Sequence, residues 1–342
     1  MRVGIVGYRN HAERLRGLLL RDPEVSSLVI FHPEEERLTG LEIEASISWS
    51  TSSRLSDLHD CDAVMVSSPS STHHSYVRAL IEHVPYVFCE KPIAVTQEEM
   101  DWFRGLPTEL SGRIYCNQNY ALTRLAKRTE EVIGTNELGK PVHFEFTATH
   151  GLAFQDGFAD NWRFQVEDVF ASIIGNLGIH YIHLILKLLG DQLEIHCMPL
   201  RAKHDHSNPD ACSICFQMEG GQTAFVHLSY AAPYMNTARL FFTDGLLVLD
   251  DGKVHEFAPR DTFDEFGRFA SPLGREICSF PSTKAYFDDS LAASLEYFLR
   301  IVKSKASFPS KELARAVGGA EVVLDVTRDL TAPALVSPVQ SK

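Results

Sequence analysis

Apolar positions in the first third of the chain come in short, nearly unbroken runs, separated by stretches of helical periodicity. The runs at 2–6, 27–31, 63–67 and 86–89 are rich in Val, Ile and Phe. Such runs read as strands buried on both faces, the habit of a parallel sheet. Between them, residues 11–21 place Leu15, Leu18 and Leu19 on one side of a helix, and residues 72–83 carry a second helical pattern. A short helical turn is expected at 57–60. Thr96 with Glu99 three residues on forms a capping-box pattern that opens a further helix. A strand at 113–117 closes the series. This alternation predicts a doubly wound parallel α/β sheet, a Rossmann-type domain over residues 1–118.

The pattern changes at Asn119. A helix at 122–133 leads through Gly139-Lys-Pro141 to a strand at 142–149, and a long helical stretch covers 168–189. Strands then follow one another at 193–201, 212–218, 223–230, 238–242 and 246–249. Glu219-Gly-Gly221 and Asp250-Asp-Gly252 are hairpin signals. Helices are expected at 284–303 and 311–330. Residues 119–330 therefore read as an α+β domain with a mostly antiparallel, open sheet, and residues 331–342 as a frayed tail.

Composition narrows the function. A chain of 342 residues with 44% hydrophobic and 23% charged content has material for two ordinary globular cores. The net charge of −13 lacks the basic footprint that nucleic acid or an anionic membrane surface requires. It leaves room for an anionic small ligand held by a local cluster. The chain has no apolar run of membrane-spanning length and no signal-peptide core, so a cytoplasmic location is expected. Seven scattered cysteines fit a reducing compartment. Cys212 and Cys215 fall on opposite faces of a strand, and His204-Asp205-His206 reads as a solvated loop, so no metal site is expected.

Candidate chemistry gathers at strand ends. The strand at 86–89 stops abruptly in Glu90, Lys91 and Pro92. In an open parallel sheet the carboxyl ends of strands are where ligands bind. Strand, Gly7 and helix in succession have the geometry of a dinucleotide site. The usual G-x-G-x-x-G reads Gly7-Tyr-Arg-Asn-His-Ala12, with Arg9 in the second glycine's place. Arg9 either pairs with phosphate or blocks it. His32 stands where an acid for the adenosine ribose is expected, with Glu34, Glu35 and Glu36 beyond, so NAD and NADP are not separated. Asn176, His180 and His183 fall at i, i+4 and i+7, on one face of a regular helix.

Three segments combine into a pattern. Asp62-Ala-Val-Met-Val-Ser-Ser-Pro-Ser-Ser-Thr-His73 is followed at 17 residues by Glu90-Lys91-Pro92, and Asn161-Trp-Arg163 precedes Gly175-Asn-Leu-Gly-Ile-His180. In this order they resemble the glucose–fructose oxidoreductase/inositol dehydrogenase (Gfo/Idh/MocA) family over most of the chain. The resemblance implies an NAD- or NADP-dependent oxidoreductase that moves a hydride between nicotinamide and a secondary hydroxyl of a sugar. It implies Lys91, His180 and Asn176 as the catalytic group. Gly7, Arg9, Asn10, Ser68, Pro69, His73 and Glu90 would line the cofactor, and Asn119, Trp162 and His183 the substrate. It also implies a homo-oligomer, dimer or tetramer, formed through the open face of the second sheet.

Departures from the family pattern refine this. Asn176 replaces the usual Asp, His183 replaces an acid, and Asn119-Tyr-Ala121 lacks the arginine of the family's N-Y-R. The Asn-x-Gly-x-His version resembles members that act on nucleotide-linked amino sugars. This points to a nucleotide-linked sugar of surface-polysaccharide or amino-sugar metabolism. Two alternatives stand beside it: a catalytically silent family member that binds nucleotide sugar or acts as a scaffold, and an enzyme that retains NAD for a redox-neutral reaction.

Overall fold

The structure, a computed structural model, describes residues 1–8, 10–41, 47–158, 169–200, 209–258 and 262–328. Arg9, Trp162, His204-Asp205-His206 and the tail at 331–342 lie outside the described residues. Contacts divide the chain into two units: Met1–Gln118 with Ala292–Glu321, and Asn119–Leu291 with Val322–Lys342.

In the first unit the order is β1 (Arg2–Val6), α1 (Asn10–Leu19), β2 (Ser27–Phe31), β3 (Ser48–Ser52), β4 (Ala63–Val66), α2 (His73–Leu80), β5 (Val87–Cys89), α3 (Gln97–Arg104), α4 (Thr108–Ser111) and β6 (Ile114–Cys116). These strands form one sheet in the order β3-β2-β1-β4-β5-β6. Every pair is parallel. The strand order reverses between β1 and β4, which opens a crevice at their carboxyl ends. β1, β4, β5 and β6 are buried almost throughout, as uninterrupted apolar runs require. β3 had no apolar signature: its Ser-Trp-Ser-Thr-Ser is largely exposed at the sheet edge, where backbone pairing with β2 alone makes it a strand.

The capping box at Thr96 forms, with Glu99 N donating to Thr96 Oγ1 at 3.2 Å. Glu99 Oε2 in return accepts from Val95 N at 2.7 Å, one residue earlier than the standard pairing.

In the second unit, α5 (Arg124–Thr135) leads to β7 (Pro141–Thr149). A π-helical turn at Ile174–Gly178 then runs into α6 (Ile179–Leu189). β8 (Gln192–Leu200), β9 (Ala211–Met218), β10 (Thr223–Ser229), β11 (Met235–Phe242), β12 (Gly245–Asp250), β13 (Lys253–Phe257) and β14 (Arg275–Ser279) follow. The sheet order is β14-β13-β12-β11-β7-β10-β9-β8, antiparallel except for the β7–β10 pair. Phe144, Phe146, Val226, Leu228 and Leu240 are buried on one face, where Tyr181 of α6 meets Phe146 with ring centroids 5.4 Å apart. On β11 the alternation leaves Met235 and Phe241 exposed. Strands β13 and β14 extend the sheet beyond the strands expected at 193–249.

Two long helices close the chain, α7 (Thr283–Ser304) and α8 (Ser310–Arg328). Each is divided between the units, with Ala292–Glu321 counted in the first. Ser294 illustrates why: its hydroxyl bonds Asn117, just past β6, at 2.6 Å and Tyr115, within β6, at 2.7 Å.

The helix expected at 168–189 is not continuous. A short turn at Val169–Ala171 precedes the π-helical turn. The cause is Gly175, where a Cβ would stand 2.3 Å from Phe170 Cα. Only glycine lets the two backbone segments meet this closely. The wider turn also shifts the phase that places Asn176, His180 and His183 on one face. Asn176 and His180 are half-buried, whereas His183 is only 6% exposed.

Candidate active site

Two groups of candidate residues are assembled, one in each unit. In the first, backbone ladders run one residue past the strands. Ser67 N bonds Val6 O at 2.9 Å, Glu90 N bonds Val66 O at 2.9 Å, and Asn117 N bonds Cys89 O at 2.8 Å. These extensions set Ser67, Glu90 and Asn117 side by side along the carboxyl edge of the sheet.

Gly7 makes the turn out of β1. Its φ is +82°, its N–H donates to Phe31 O at 3.0 Å, and a Cβ would lie 3.0 Å from Ser67 O and 3.1 Å from Ser68 Cα. The glycine therefore serves both purposes of the first fingerprint position, a left-handed turn and close backbone packing. α1 starts three residues later and presents its N-terminal amides above the crevice. Backbone amides at a helix N-terminus after such a turn are the groups that hold a dinucleotide's diphosphate.

Glu90 is the centre of the first group. It is 8% exposed, and its Oε1 stands 2.7 Å from His11 Nε2 and accepts from Asn117 Nδ2 at 2.7 Å. Its Oε2 accepts from Lys91 N at 3.3 Å. Burial pushes the Glu90 pKa up, but His11, with Asn117 and Lys91, outweighs it and holds the carboxyl below its usual value. The same Glu90 charge is the main reason the His11 pKa is raised. Asn117 cannot turn its amide away, because Ser294 Oγ donates to its Oδ1 at 2.6 Å.

His73 fastens the Glu90-Lys91-Pro92 loop to the loop after β4. Its Nδ1 lies 2.7 Å from Pro92 O and its Nε2 2.8 Å from Ser68 O. Burial pushes the His73 pKa down, against the pull of the two carbonyls and of Glu90. The Thr72 hydroxyl lies 2.7 Å from both Ser68 Oγ and Pro69 O. Of the residues expected to line the cofactor, Gly7, Ser68, Pro69, His73 and Glu90 are thus gathered around the crevice, with Lys91 at its edge. His32 follows β2, and its Nδ1 accepts from Glu34 N at 3.1 Å.

In the second unit the centre is His180, in the first turn of α6. Its ring stacks on Tyr120, with centroids 4.2 Å apart and planes 15° from parallel. Tyr120 in turn stacks on Phe287 at 4.4 Å and meets the edge of Tyr181 at 5.3 Å. This layer fixes the plane of the His180 imidazole. Asn176 Nδ2 donates to Tyr230 OH at 3.2 Å. Asn119 Nδ2 donates to Ser290 Oγ at 2.8 Å, which holds the Asn119-Tyr120 turn against α7.

Three residues of evident importance were absent from the expected set: His11, Asn117 and Tyr120. Tyr120 lies inside the Asn119-Tyr-Ala121 segment, so its signal was available. His11 and Asn117 owe their role to Glu90, at sequence separations of 79 and 27 residues. Among the described residues no cluster of three or more His, Cys, Asp or Glu is arranged to hold a metal ion. No described helix is long and apolar enough to cross a membrane.

Both parts of the chain are similar to known proteins. The oxidoreductase family model for the Gfo/Idh/MocA NAD-binding Rossmann fold matches residues 1–105, and the Gfo/Idh/MocA C-terminal domain model matches residues 126–248. Myo-inositol 2-dehydrogenase of Thermotoga maritima is 24% identical over 147 residues, 41% of this chain and 43% of the relative. The aligned segment spans less than half the length of each of three curated relatives. Levoglucosan dehydrogenase, solved with NADH and levoglucosan, superposes with a TM-score of 0.75 at 15% identity, covering 97% of this chain and 98% of that one. UDP-N-acetylglucosamine 3-dehydrogenase from Acidithiobacillus ferrooxidans gives a TM-score of 0.71 at 16% identity, covering 95% and 97%. With both domains matched in order, a Rossmann cradle around Gly7 and the Glu90-Lys91-Pro92 strand end, the chain belongs to the Gfo/Idh/MocA family of NAD-binding oxidoreductases.

Proposed function

We infer that this protein is an NAD(P)-dependent dehydrogenase or reductase acting on a secondary hydroxyl of a sugar, with a nucleotide-linked sugar of surface-polysaccharide or amino-sugar metabolism as the favoured substrate class. The observation that carries the reading is the His180 ring, half-buried and held in plane by Tyr120 at 4.2 Å, in a chain whose first unit has a dinucleotide cradle. When bound, the nicotinamide supplies the hydride acceptor or donor. His180 takes the proton of the substrate hydroxyl in the oxidative direction and returns it in the reverse, since histidine titrates near neutral pH. Lys91 donates a hydrogen bond to the same oxygen and stabilises the negative charge that develops on it. Asn176 orients the hydroxyl through its amide. Unlike the usual Asp, it brings no charge to raise the basicity of Lys91 or His180. Asn119 contacts the sugar, and Trp162, the other expected contact, lies outside the described residues. His183, the third residue expected at the substrate, is only 6% exposed.

The nucleotide-sugar preference rests on the Asn176-x-Gly-x-His180 pattern and on the fold-level likeness to a UDP-sugar dehydrogenase. The open face of the second sheet is the proposed contact in a homo-oligomer, and the cytoplasm is the proposed location. Titration of the purified protein with NADH and with NADPH, followed by nicotinamide fluorescence, tests the reading. Saturable binding of one or both is expected, with turnover of a nucleotide sugar that Lys91→Ala abolishes. Failure to bind either dinucleotide would defeat the oxidoreductase reading in favour of a silent binding or scaffold protein. Cofactor that co-purifies, with no net reduction of added NAD, would favour the redox-neutral alternative.

A further inference from the structure

His11 takes no part in the proton transfer just described, yet it is built into the cofactor end of the first unit. It is the second residue of α1, in the turn that follows Gly7. Its Nε2 reaches across 2.7 Å to Glu90 Oε1 at the carboxyl end of β5. Glu90 is buried, and the same oxygen accepts from Asn117, which is itself fixed by Ser294. Glu90 is held below its usual pKa and is ionised at neutral pH, and a buried carboxylate requires a compensating charge. The charged groups bearing on the ring are Glu90 and Lys91 from the end of β5 and Arg14 from α1 itself. His73, in α2, bears on the pair through Glu90. Glu90 outweighs the two cations and favours the imidazolium.

The first turn of the helix after β1 is where this fold places a dinucleotide diphosphate. An imidazolium there adds positive charge and neutralises Glu90. A neutral imidazole leaves only Asn117 and Lys91 to offset the Glu90 carboxylate beside an incoming anion. We propose that the His11–Glu90 pair makes dinucleotide binding proton-linked, with protonated His11 as the binding form. The proposal rests on the NAD(P) reading above. By linkage, the bound diphosphate also strengthens proton binding at His11. The dissociation constant therefore rises with pH above the His11 pKa of the free protein, by up to about tenfold per pH unit, and levels off above its pKa in the complex.

The test is NADH titration by fluorescence at intervals from about pH 6 to about pH 9, a range in which histidine changes charge. Wild type is expected to show constant affinity at the low end and loss of affinity above it. His11→Gln, which keeps a donor toward Glu90 but no titrating proton, is expected to give a flat profile. Glu90→Gln is expected to keep a pH dependence with its midpoint moved down, because the charge that favours the imidazolium is gone. The His11 ring proton shift, followed by NMR in free and NADH-bound wild type, reads the same pKa change in the native protein. Saturable binding with no pH dependence, or a His11→Gln profile equal to wild type, would overturn the proposal and leave the oxidoreductase reading standing. Absence of NADH binding at every pH would overturn that reading, and this proposal with it.

Discussion

His180 is held by stacking on Tyr120 rather than by its place in the chain alone. An imidazole proposed to take a hydroxyl proton needs its plane fixed, and the Tyr120 face at 4.2 Å does this. Tyr120→Leu is expected to lower kcat about tenfold or more, with NADH affinity little changed, because the ring loses its guide while the first unit is untouched. Tyr120→Phe keeps the stacking surface and is expected to retain near-wild-type kcat. Equal losses in both variants, measured by steady-state kinetics, would assign the effect to the hydroxyl and contradict the stacking account. Residue-level chemistry was legible in the sequence where charge broke an apolar pattern, as at Glu90 and Lys91. It was not legible where the partner is remote: nothing near His11 in sequence shows that a buried carboxylate 79 residues away awaits it.

At the scale of elements, periodicity located most strands and helices and failed where backbone packing overrode it. The π-helical turn at Ile174–Gly178 exists because Gly175 lies against Phe170, a contact that a 3.6-residue pattern cannot reveal. That turn feeds Asn176 and His180 to the same region while His183 passes into the core. Gly175→Ala would force a methyl group to 2.3 Å from Phe170 Cα. A loss of about 1–3 kcal/mol, with a fall in Tm of several degrees, is expected. Gly318→Ala, inside α8 with open space around it, is expected to gain about 0.5–1 kcal/mol. Thermal unfolding of both variants checks the contrast, and a neutral Gly175→Ala would contradict the close-approach argument. Strands β3 and β14 escaped sequence reading for another reason: they lie at sheet edges, where backbone pairing outweighs side-chain burial.

For the whole molecule, the sequence pattern showed two folding regimes with a change at Asn119, and both regimes are present in the structure. The division of α7 and α8 between the units was not visible, because helix periodicity shows which face is apolar but not which core receives it. The second sheet leaves Met235 and Phe241 exposed at 46% and 37% on the face away from its core. An uncovered apolar sheet face favours association with a second copy. Light scattering is expected to give a mass that is a multiple of the chain's, and Phe241→Glu is expected to shift it toward the monomer. A monomeric wild type would remove the oligomer from the account.

The central claim is that His180 carries the proton of a sugar hydroxyl while a separate part of the chain binds the cofactor. Its most direct test compares wild type and His180→Ala for NADH affinity and for turnover of a panel of nucleotide sugars and free sugars, read by nicotinamide absorbance. The account predicts a fall in kcat of about 10²–10⁴-fold in the variant, with NADH affinity preserved. Turnover by His180→Ala at the wild-type rate would contradict it.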